Sequence, residues 1–126
     1  MYNNIIQAPS FYRVGLYIRL SESDEGKSYE SESESITNQR NLLMDYVKLA
    51  GFTLVDEYVD DGFTGTNFDR PAFQEMISDI ENKEINMVIT KDLSRLSRDY
   101  IGTGEYVEKW FPAHGVRYVA LTDAID

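Results

Sequence analysis

The sequence predicts an α/β fold in three layers, with a mostly parallel β-sheet covered by helices on both faces. Short apolar runs typical of buried strands alternate along the chain with longer segments whose apolar residues recur at helical spacing. Each gap between predicted strands is long enough for the helical crossover that parallel pairing requires. At 126 residues the chain can form one domain with its own hydrophobic core.

The first half of the chain predicts two strands on either side of one helix. Apolar side chains alternate over residues 14–20, which indicates a first strand near the centre of the sheet. Ser35 is a suitable amino-terminal cap for a helix, and Gly51 is a natural end for it. Residues 52–59 predict the second strand. The polar, glycine-containing segment 60–67 then predicts a loop.

The second half predicts two further helices and two further strands. Residues 69–71 read Asp-Arg-Pro, which favours the start of a helix because proline is tolerated in the first turn. Residues 87–89 form a short apolar run typical of a buried strand. We expect a third helix from about residue 95 or 99 to Phe111, where Pro112 should stop it. Residues 116–121 predict the fourth strand.

The charge of the chain is uneven. The net charge of −10 argues against a nucleic-acid partner, because DNA affinity comes largely from lysine and arginine. Residues 22–35, however, carry six carboxylates against one lysine, which is half of that net charge. This segment predicts a solvated loop, or else a flap that becomes ordered on a partner. The remaining chain is only mildly acidic, so a DNA substrate stays open.

Several classes of site are excluded or weakened by composition. The chain has no cysteine and one histidine, His114, which excludes disulfides and a Cys/His zinc site. The Asp60-Asp61 pair could hold magnesium, although an acidic pair before glycine is more often a turn. Residues 1–12 lack the order of a signal peptide, and no apolar run is long enough to cross a membrane. We therefore expect a cytoplasmic protein in which any metal chemistry would have to rest on carboxylates.

Polar segments follow three of the predicted strands. Ser21 follows the first strand, residues 60–70 follow the second, and residues 94–98 follow the third. In parallel sheets, ligands bind beyond the carboxyl ends of the strands. We therefore expect these three segments to meet in one site.

The arginines near Ser21 suggest the chemistry of that site. Arg19 and Ser21 are two residues apart on a strand and should share a face. Arg95 and Arg98 are three apart in a predicted helical start, where they should be neighbours and where free amide groups favour an anion. Taken singly, such residues are more often turn, cap or salt-bridge residues. Together they predict a hydroxyl nucleophile surrounded by fixed positive charge, as attack on a phosphodiester requires.

Five short motifs occur in the order and spacing of the serine recombinase (resolvase/invertase) catalytic domain. The chain resembles that family from Tyr12 onward, which leaves residues 1–11 as an extension, and it looks most like the large recombinases of mobile elements. The motifs are Tyr17-Ile18-Arg19-Leu20-Ser21, Ser35-Ile36-Thr37-Asn38-Gln39-Arg40, Asp60-Asp61-Gly62-Phe63-Thr64-Gly65, Asp69-Arg70-Pro71 and Ser94-Arg95-Leu96-Ser97-Arg98-Asp99.

The resemblance implies a mechanism and roles for six residues. Ser21 matches the nucleophile, which attacks a DNA phosphate to give a 5′-phosphoserine and a free 3′-hydroxyl before strand exchange and religation. The residues that match the phosphate-binding arginines are Arg19, Arg70, Arg95 and Arg98. Gln39 matches a polar residue beside them. The family needs neither metal nor cofactor, because the covalent link keeps the energy of the phosphodiester.

The resemblance also implies partners and a place in a longer protein. The expected partners are double-stranded DNA at a recombination site and further copies of the protein, as a dimer and then a tetramer, on the bacterial nucleoid. On this interpretation residues 12–126 are a catalytic fragment without the dimerisation helix and the DNA-binding domains. Small resolvases have aspartate where this chain has Ser94, which leaves the general acid and base open. We expect clustered arginines to lower the serine pKa, and an arginine or a water to protonate the leaving oxygen.

Two other functions fit parts of the same pattern. A receiver-like module would accept a phosphoryl group near Asp60 and Asp61 without DNA chemistry. It should, however, carry carboxylates after the first strand, where this chain has Arg19 and Ser21. A hydrolytic serine phosphodiesterase would share the nucleophile but release its product.

Overall fold

Four parallel strands form one sheet in the computed structural model, which describes residues 11–20 and 35–126. The strands are β1 (Arg13–Leu20), β2 (Thr53–Asp61), β3 (Met87–Thr90) and β4 (Arg117–Ala120), and they lie in the order β2-β1-β3-β4. Ser21 and almost all of the acidic segment 22–35 fall outside the described residues.

Helical segments connect the described strands. The longer two are α1 (Ile36–Ala50) and α2 (Pro71–Glu81). The others are α3 (Leu93–Leu96), α4 (Tyr100–Glu105), a π-helical turn (Tyr106–Trp110), α5 (Phe111–Ala113) and a 3₁₀ turn (Leu121–Asp123). None of the helices in the described ranges is long and apolar enough to cross a membrane.

The sheet separates two hydrophobic cores, which confirms the predicted three-layer fold. On one face, Leu43 and Val47 of α1 pack against buried residues of β1, β3 and β4. On the other face lie Tyr17 of β1, the apolar side of α2 and Phe111. The alternation along β1 therefore sends Leu16 and Ile18 to one core and Tyr17 to the other, because successive strand residues face opposite sides.

The order of the strands places the site. β1 lies between β2 and β3, so the chain leaves β1 toward one edge of the sheet and returns past it to form β3. A reversal of this kind opens a crevice at the carboxyl ends of the two central strands. The carboxyl ends of β1 and β3, at Leu20 and Thr90, border this crevice.

Local signals define both ends of α1 as the sequence predicts. The Ser35 hydroxyl accepts a hydrogen bond from the amide of Asn38 at 3.0 Å. Gly51 adopts φ 76°, a left-handed conformation that glycine tolerates best, and its amide donates to the carbonyls of Val47 and Lys48.

Removal of the Ser35 cap gives a first test of this fold. We expect Ser35→Ala to lower the free energy of unfolding by about 1 kcal/mol, because the Asn38 amide loses its acceptor. Urea denaturation measures the change. Thr37→Ala, an exposed position in the first turn of α1, is the matched control and should have a smaller effect. Equal losses from both variants would show that the hydroxyl is not a stabilising cap.

Two predicted boundaries are wrong. β2 continues through Asp60 and Asp61, which the sequence assigns to a loop, because these residues pair with Arg19 and Leu20 of β1. Of the two starts predicted for the third helix, residue 95 is wrong, because the extended Ser97, at φ −172° and ψ 155°, separates α3 from α4. The other, residue 99, agrees with the start of α4 at Tyr100.

Pro112 also does not end the helix as predicted. Within the preceding π turn, the Phe111 amide donates to the Tyr106 carbonyl five residues earlier. The backbone hydrogen bonds have therefore already shifted from the α-helical to the π-helical pattern before the chain reaches Pro112, which has no amide hydrogen to donate. The helix continues to Ala113 and ends at His114 and Gly115, where Gly115 has φ 71°.

Candidate active site

Four arginines predicted from sequence meet at the carboxyl end of β1. Arg19 is the penultimate residue of β1, Arg70 directly precedes α2, and Arg95 lies in α3. These three side chains are 0%, 1% and 3% exposed, whereas Arg98 is exposed to solvent. A cluster of buried guanidinium groups with one exposed member therefore lies next to the position where the chain continues to Ser21.

The Arg19 guanidinium joins two loops of the site. It donates to the carbonyl of Phe63 at 3.2 Å, in the loop after β2. It also donates to the carbonyls of Ser94 at 2.6 Å and Arg95 at 3.2 Å, in α3. The side chain that ends β1 thus holds the connections that follow β2 and β3 in a fixed relation.

Mutual repulsion is strong within the cluster. Burial, together with the positive charges of Arg70, Arg95 and Arg98, lowers the pKa of Arg19 to about 10. At pH 7.5 the protonated form of this side chain nevertheless exceeds the neutral form by a factor on the order of 10² to 10³. The cluster therefore produces a positive potential that favours an anion beside it.

The main chain at the end of β1 is held by three donors. The Arg19 carbonyl accepts from Gln39 Nε2 at 3.2 Å and from Arg95 Nη1 at 3.1 Å. The next carbonyl, that of Leu20, accepts from the Gly62 amide at 2.5 Å. Gln39 and Arg95 thus act on the backbone that leads directly into Ser21, which itself is outside the described residues.

Arg70 is fixed by three hydrogen bonds and surrounded by aromatic rings. Its guanidinium donates to the carbonyls of Asn67 and Leu96 and to the Tyr17 hydroxyl, each at 2.8 Å. Its Cζ atom lies 5.0 Å from the ring centre of Phe73. These bonds engage three of the five N–H groups of a guanidinium, so its plane is well defined.

Tyr17 and Asp60 also belong to the site, although the sequence assigned no role to Tyr17 and offered Asp60 only as part of a magnesium or phosphoacceptor pair. The Tyr17 hydroxyl donates to Asp60 Oδ2 at 2.7 Å. The Asp60 carboxylate also accepts from the amides of Ala72 and Phe73 at 2.9 Å, and it is 1% exposed. The available signal was the position of Tyr17, two residues before Arg19 on the same face of β1.

Gly65 brings Arg98 and Arg19 together. The Gly65 carbonyl accepts from the Arg98 amide at 2.6 Å and from the Ser97 hydroxyl at 2.9 Å. A Cβ atom at Gly65 would lie 2.8 Å from Arg19 Nη2 and 3.1 Å from Arg98 Cγ. The prediction that Arg95 and Arg98 are helical neighbours is wrong, because α3 ends at Leu96, between them.

The predicted open helix start is wrong for α3, whereas Asp99 at the start of α4 makes no side-chain cap hydrogen bond. Asp92 caps α3 by accepting from the Arg95 amide, and Asp123 Oδ2 accepts from the Leu93 amide at 2.7 Å. The hydroxyl of Ser94 donates to Asp92 Oδ1 at 2.5 Å. Carboxylates of the chain itself therefore occupy the amide groups that an external anion would use.

Asp60 and Asp61 do not form a paired metal site. Asp60 is buried with three donors, whereas Asp61 is exposed. Within the described part of the chain, carboxylate oxygens of Asp56, Glu75 and Asp79 lie within 4.8 Å of one another, away from the arginines. The same burial of Asp60 removes the main residue of the receiver-like alternative.

Comparison with known proteins agrees with this geometry. Residues 14–126 match the family model described as "Resolvase, N terminal domain". A "Putative DNA recombinase" of Bacillus subtilis (strain 168) is 32% identical over 88 residues, which are 68% of this chain but 16% of that protein. The chain thus spans about one sixth of the curated relative that it matches.

Solved structures show the same fold. The N-terminal catalytic domain of TP901-1 integrase superposes with a TM-score of 0.79 at 33% identity, covering 90% of this chain and 80% of that one. A resolvase family site-specific recombinase from Streptococcus pneumoniae gives a TM-score of 0.73 at 25% identity over 91% and 75%. The catalytic domain of ISC1926 TnpA, an IS607-like serine recombinase, gives 0.70 at 26% over 86% and 68%. This chain therefore belongs to the resolvase family of serine recombinases.

Proposed function

We propose that this chain carries the catalytic site of a site-specific DNA recombinase, with Ser21 as the nucleophile. The observation that supports this proposal most directly is the convergence of Arg19, Arg70, Arg95 and Arg98 at the carboxyl end of β1. Ser21 follows Leu20, the last residue of that strand. The nucleophile is thus attached to the segment that the cluster fixes.

The proposed reaction exchanges one phosphate ester for another. Ser21 Oγ attacks the phosphorus, an Oγ–P bond forms, and the P–O3′ bond breaks to leave a 3′-hydroxyl. The proton lost by the serine and the proton gained by the 3′-oxygen balance. Religation is the reverse step with the 3′-hydroxyl of a new partner strand, so no external energy source is required.

The arginines have two roles in this reaction. Burial and the neighbouring arginine charges lower the pKa of Arg19, and the same charges stabilise a serine alkoxide and the additional negative charge of the transition state. Arg98 is exposed and is positioned to contact a phosphate first. Arg19, Arg70 and Arg95 are buried behind it, where Arg95 together with Gln39 fixes the backbone before Ser21.

The proposed partners are double-stranded DNA and further copies of the protein. The named relatives include recombinases and an integrase, which supports a DNA substrate. Strand exchange between two DNA sites requires a cleaving subunit for each strand, which supports an assembly of at least a dimer that becomes a tetramer. Contacts that select the DNA site and build this assembly are proposed to involve domains beyond the catalytic one.

Covalent trapping tests the nucleophile. The protein is incubated with DNA from the ends of its own genetic element, nicked near the cleavage site so that religation fails. We expect an adduct linked through the 5′-phosphate to Ser21, identified by mass spectrometry. Ser21→Ala should abolish it, whereas Ser23→Ala, a serine two residues further along, should retain it.

The possible results separate the candidate functions. A persistent adduct on Ser21 with a free 3′-hydroxyl supports recombination. Cleaved DNA without a persistent adduct would favour the hydrolytic phosphodiesterase. DNA binding without cleavage, or an adduct that survives in Ser21→Ala, would contradict the assignment of the nucleophile.

A further inference from the structure

A chain of buried hydrogen bonds connects the start of α2 to Arg70. Two amides of α2, those of Ala72 and Phe73, donate to the Asp60 carboxylate. The Tyr17 hydroxyl donates to the same carboxylate at 2.7 Å and accepts from Arg70 Nη1 at 2.8 Å. Tyr17 therefore bridges an anion held by the backbone and a cation of the site.

We infer that Tyr17 and Asp60 are positioning residues that set the orientation of the Arg70 guanidinium for cleavage. This inference rests on the proposed function of the site and extends it to two residues that act through Arg70. Arg70 precedes α2 without a side-chain cap of its own, so Asp60 supplies the cap from the neighbouring strand. One carboxylate thus fixes both the helix that follows Arg70 and the hydroxyl that contacts Arg70.

The bridge has a defined direction of proton donation. Burial raises the pKa of Tyr17 far above its usual value and outweighs the opposing effect of the Arg70 charge. The phenol therefore stays neutral at any working pH, donating to Asp60 and accepting from Arg70. A phenylalanine at this position keeps the ring that packs against Phe73 but removes both bonds.

The same sheet contains a matched control. Tyr58 pairs with Tyr17 in register across β1 and β2, and its hydroxyl donates to Asp79 of α2 at 2.6 Å. Tyr58→Phe therefore also removes a tyrosine–aspartate hydrogen bond to α2, but it leaves the hydrogen bonds of Arg70 intact. Loss of stability alone should affect both variants in the same way.

The experiment measures single-turnover cleavage and DNA affinity of the intact protein on nicked recombination sites. We expect Tyr17→Phe to lower the cleavage rate roughly 10-fold with an unchanged dissociation constant, the effect of losing about one good hydrogen bond. Tyr58→Phe should cleave at the normal rate. In an Arg70→Ala background, Tyr17→Phe should have no further effect, because it acts through Arg70.

A second measurement does not depend on cleavage. Rotation of the Arg70 guanidinium about its Nε–Cζ bond, followed by NMR on arginine-labelled protein, should become faster in Tyr17→Phe and stay slow in Tyr58→Phe. Asp60→Asn removes the anion but keeps the size of the side chain, and it should have the same effect as Tyr17→Phe. It replaces Tyr17→Phe in this measurement if Tyr17→Phe folds poorly.

The outcomes separate the inference from the proposed function. Unchanged rotation in Tyr17→Phe overturns the inference, whether or not the protein cleaves DNA. Equal cleavage defects in Tyr17→Phe and Tyr58→Phe, or a full additional loss in the Arg70→Ala background, overturn it as well. Failure of the unmodified protein to cleave counts against the proposed function only, since the rotation still reports on Tyr17.

Discussion

Arg19→Lys should lower the rate of DNA cleavage by roughly 100-fold, the scale of losing a preorganised donor at a transition state. The guanidinium reaches the carbonyls of Phe63, Ser94 and Arg95 from three different nitrogens. A single ammonium group cannot reproduce this geometry. The connections after β2 and β3 should therefore separate.

The defect of Arg19→Lys should also depend on pH. The burial and neighbouring charges that lower the pKa of Arg19 would act on a lysine from a reference value about two units lower. Such a lysine loses its proton as pH rises through its lowered pKa and regains it as pH falls. Relative to the unmodified protein, the variant should thus cleave least well at pH 9 and recover partly at pH 6.

Arg13→Lys is the control for that substitution. Arg13 begins the same strand, and its guanidinium also donates to main-chain carbonyls, those of Glu84 and Lys83. It is exposed and lies at the opposite end of β1. Cleavage should stay within about twofold of normal, as for most surface substitutions. Similar defects in the two lysine variants would contradict a specific role for Arg19.

Gly65→Ala should lower the cleavage rate at least 10-fold and the free energy of unfolding by about 1–3 kcal/mol, as overpacking of a buried site does. The new methyl group would lie 2.8 Å from Arg19 Nη2 and 2.9 Å from its Cζ. Arginine tips usually move aside, but this one is 0% exposed and bonded to three carbonyls. Either Arg19 or the loop that contains Gly65 must shift.

Gly104→Ala shows what the same change does without a clash. Apart from its chain neighbours and the backbone of its own helix, nothing lies within 4 Å of a Cβ at Gly104, which is in α4. Alanine is the better helix former, so stability should rise by up to about 1 kcal/mol. Urea denaturation and single-turnover cleavage measure both variants. Normal cleavage by Gly65→Ala would show that the contact between Gly65 and Arg19 is unimportant for the reaction.

Features decided by neighbouring residues could be predicted from the sequence. Ser35 and Gly51 define the ends of α1, and the proline after Arg70 begins α2, because capping and proline geometry act within a few residues. The three-layer fold follows from the alternation of strand and helix patterns. The meeting of the arginines followed from the rule that parallel strands share their carboxyl edge.

Features decided by contacts between distant residues could not be predicted from the sequence. The sequence gives no sign that the carbonyls of Phe63 and Ser94 converge on Arg19, so the burial of the guanidinium was unexpected. Asp60 belongs to β2 because of Arg19, a residue 41 positions away along the chain. The π-helical hydrogen bond before Pro112 is likewise not visible in the sequence, so the rule that proline ends a regular α-helix gave the wrong boundary.

The starts of α2 and α3 are already filled by carboxylates, those of Asp60, Asp92 and Asp123. Free phosphate, sulfate and nucleotides commonly lodge at such main-chain cradles when these are open. Here the protein's own carboxylates already accept hydrogen bonds from these amides, so these two helix starts are closed to small anions. The recognition of a phosphate is thereby left to the side chains of the arginine cluster, of which Arg98 is exposed.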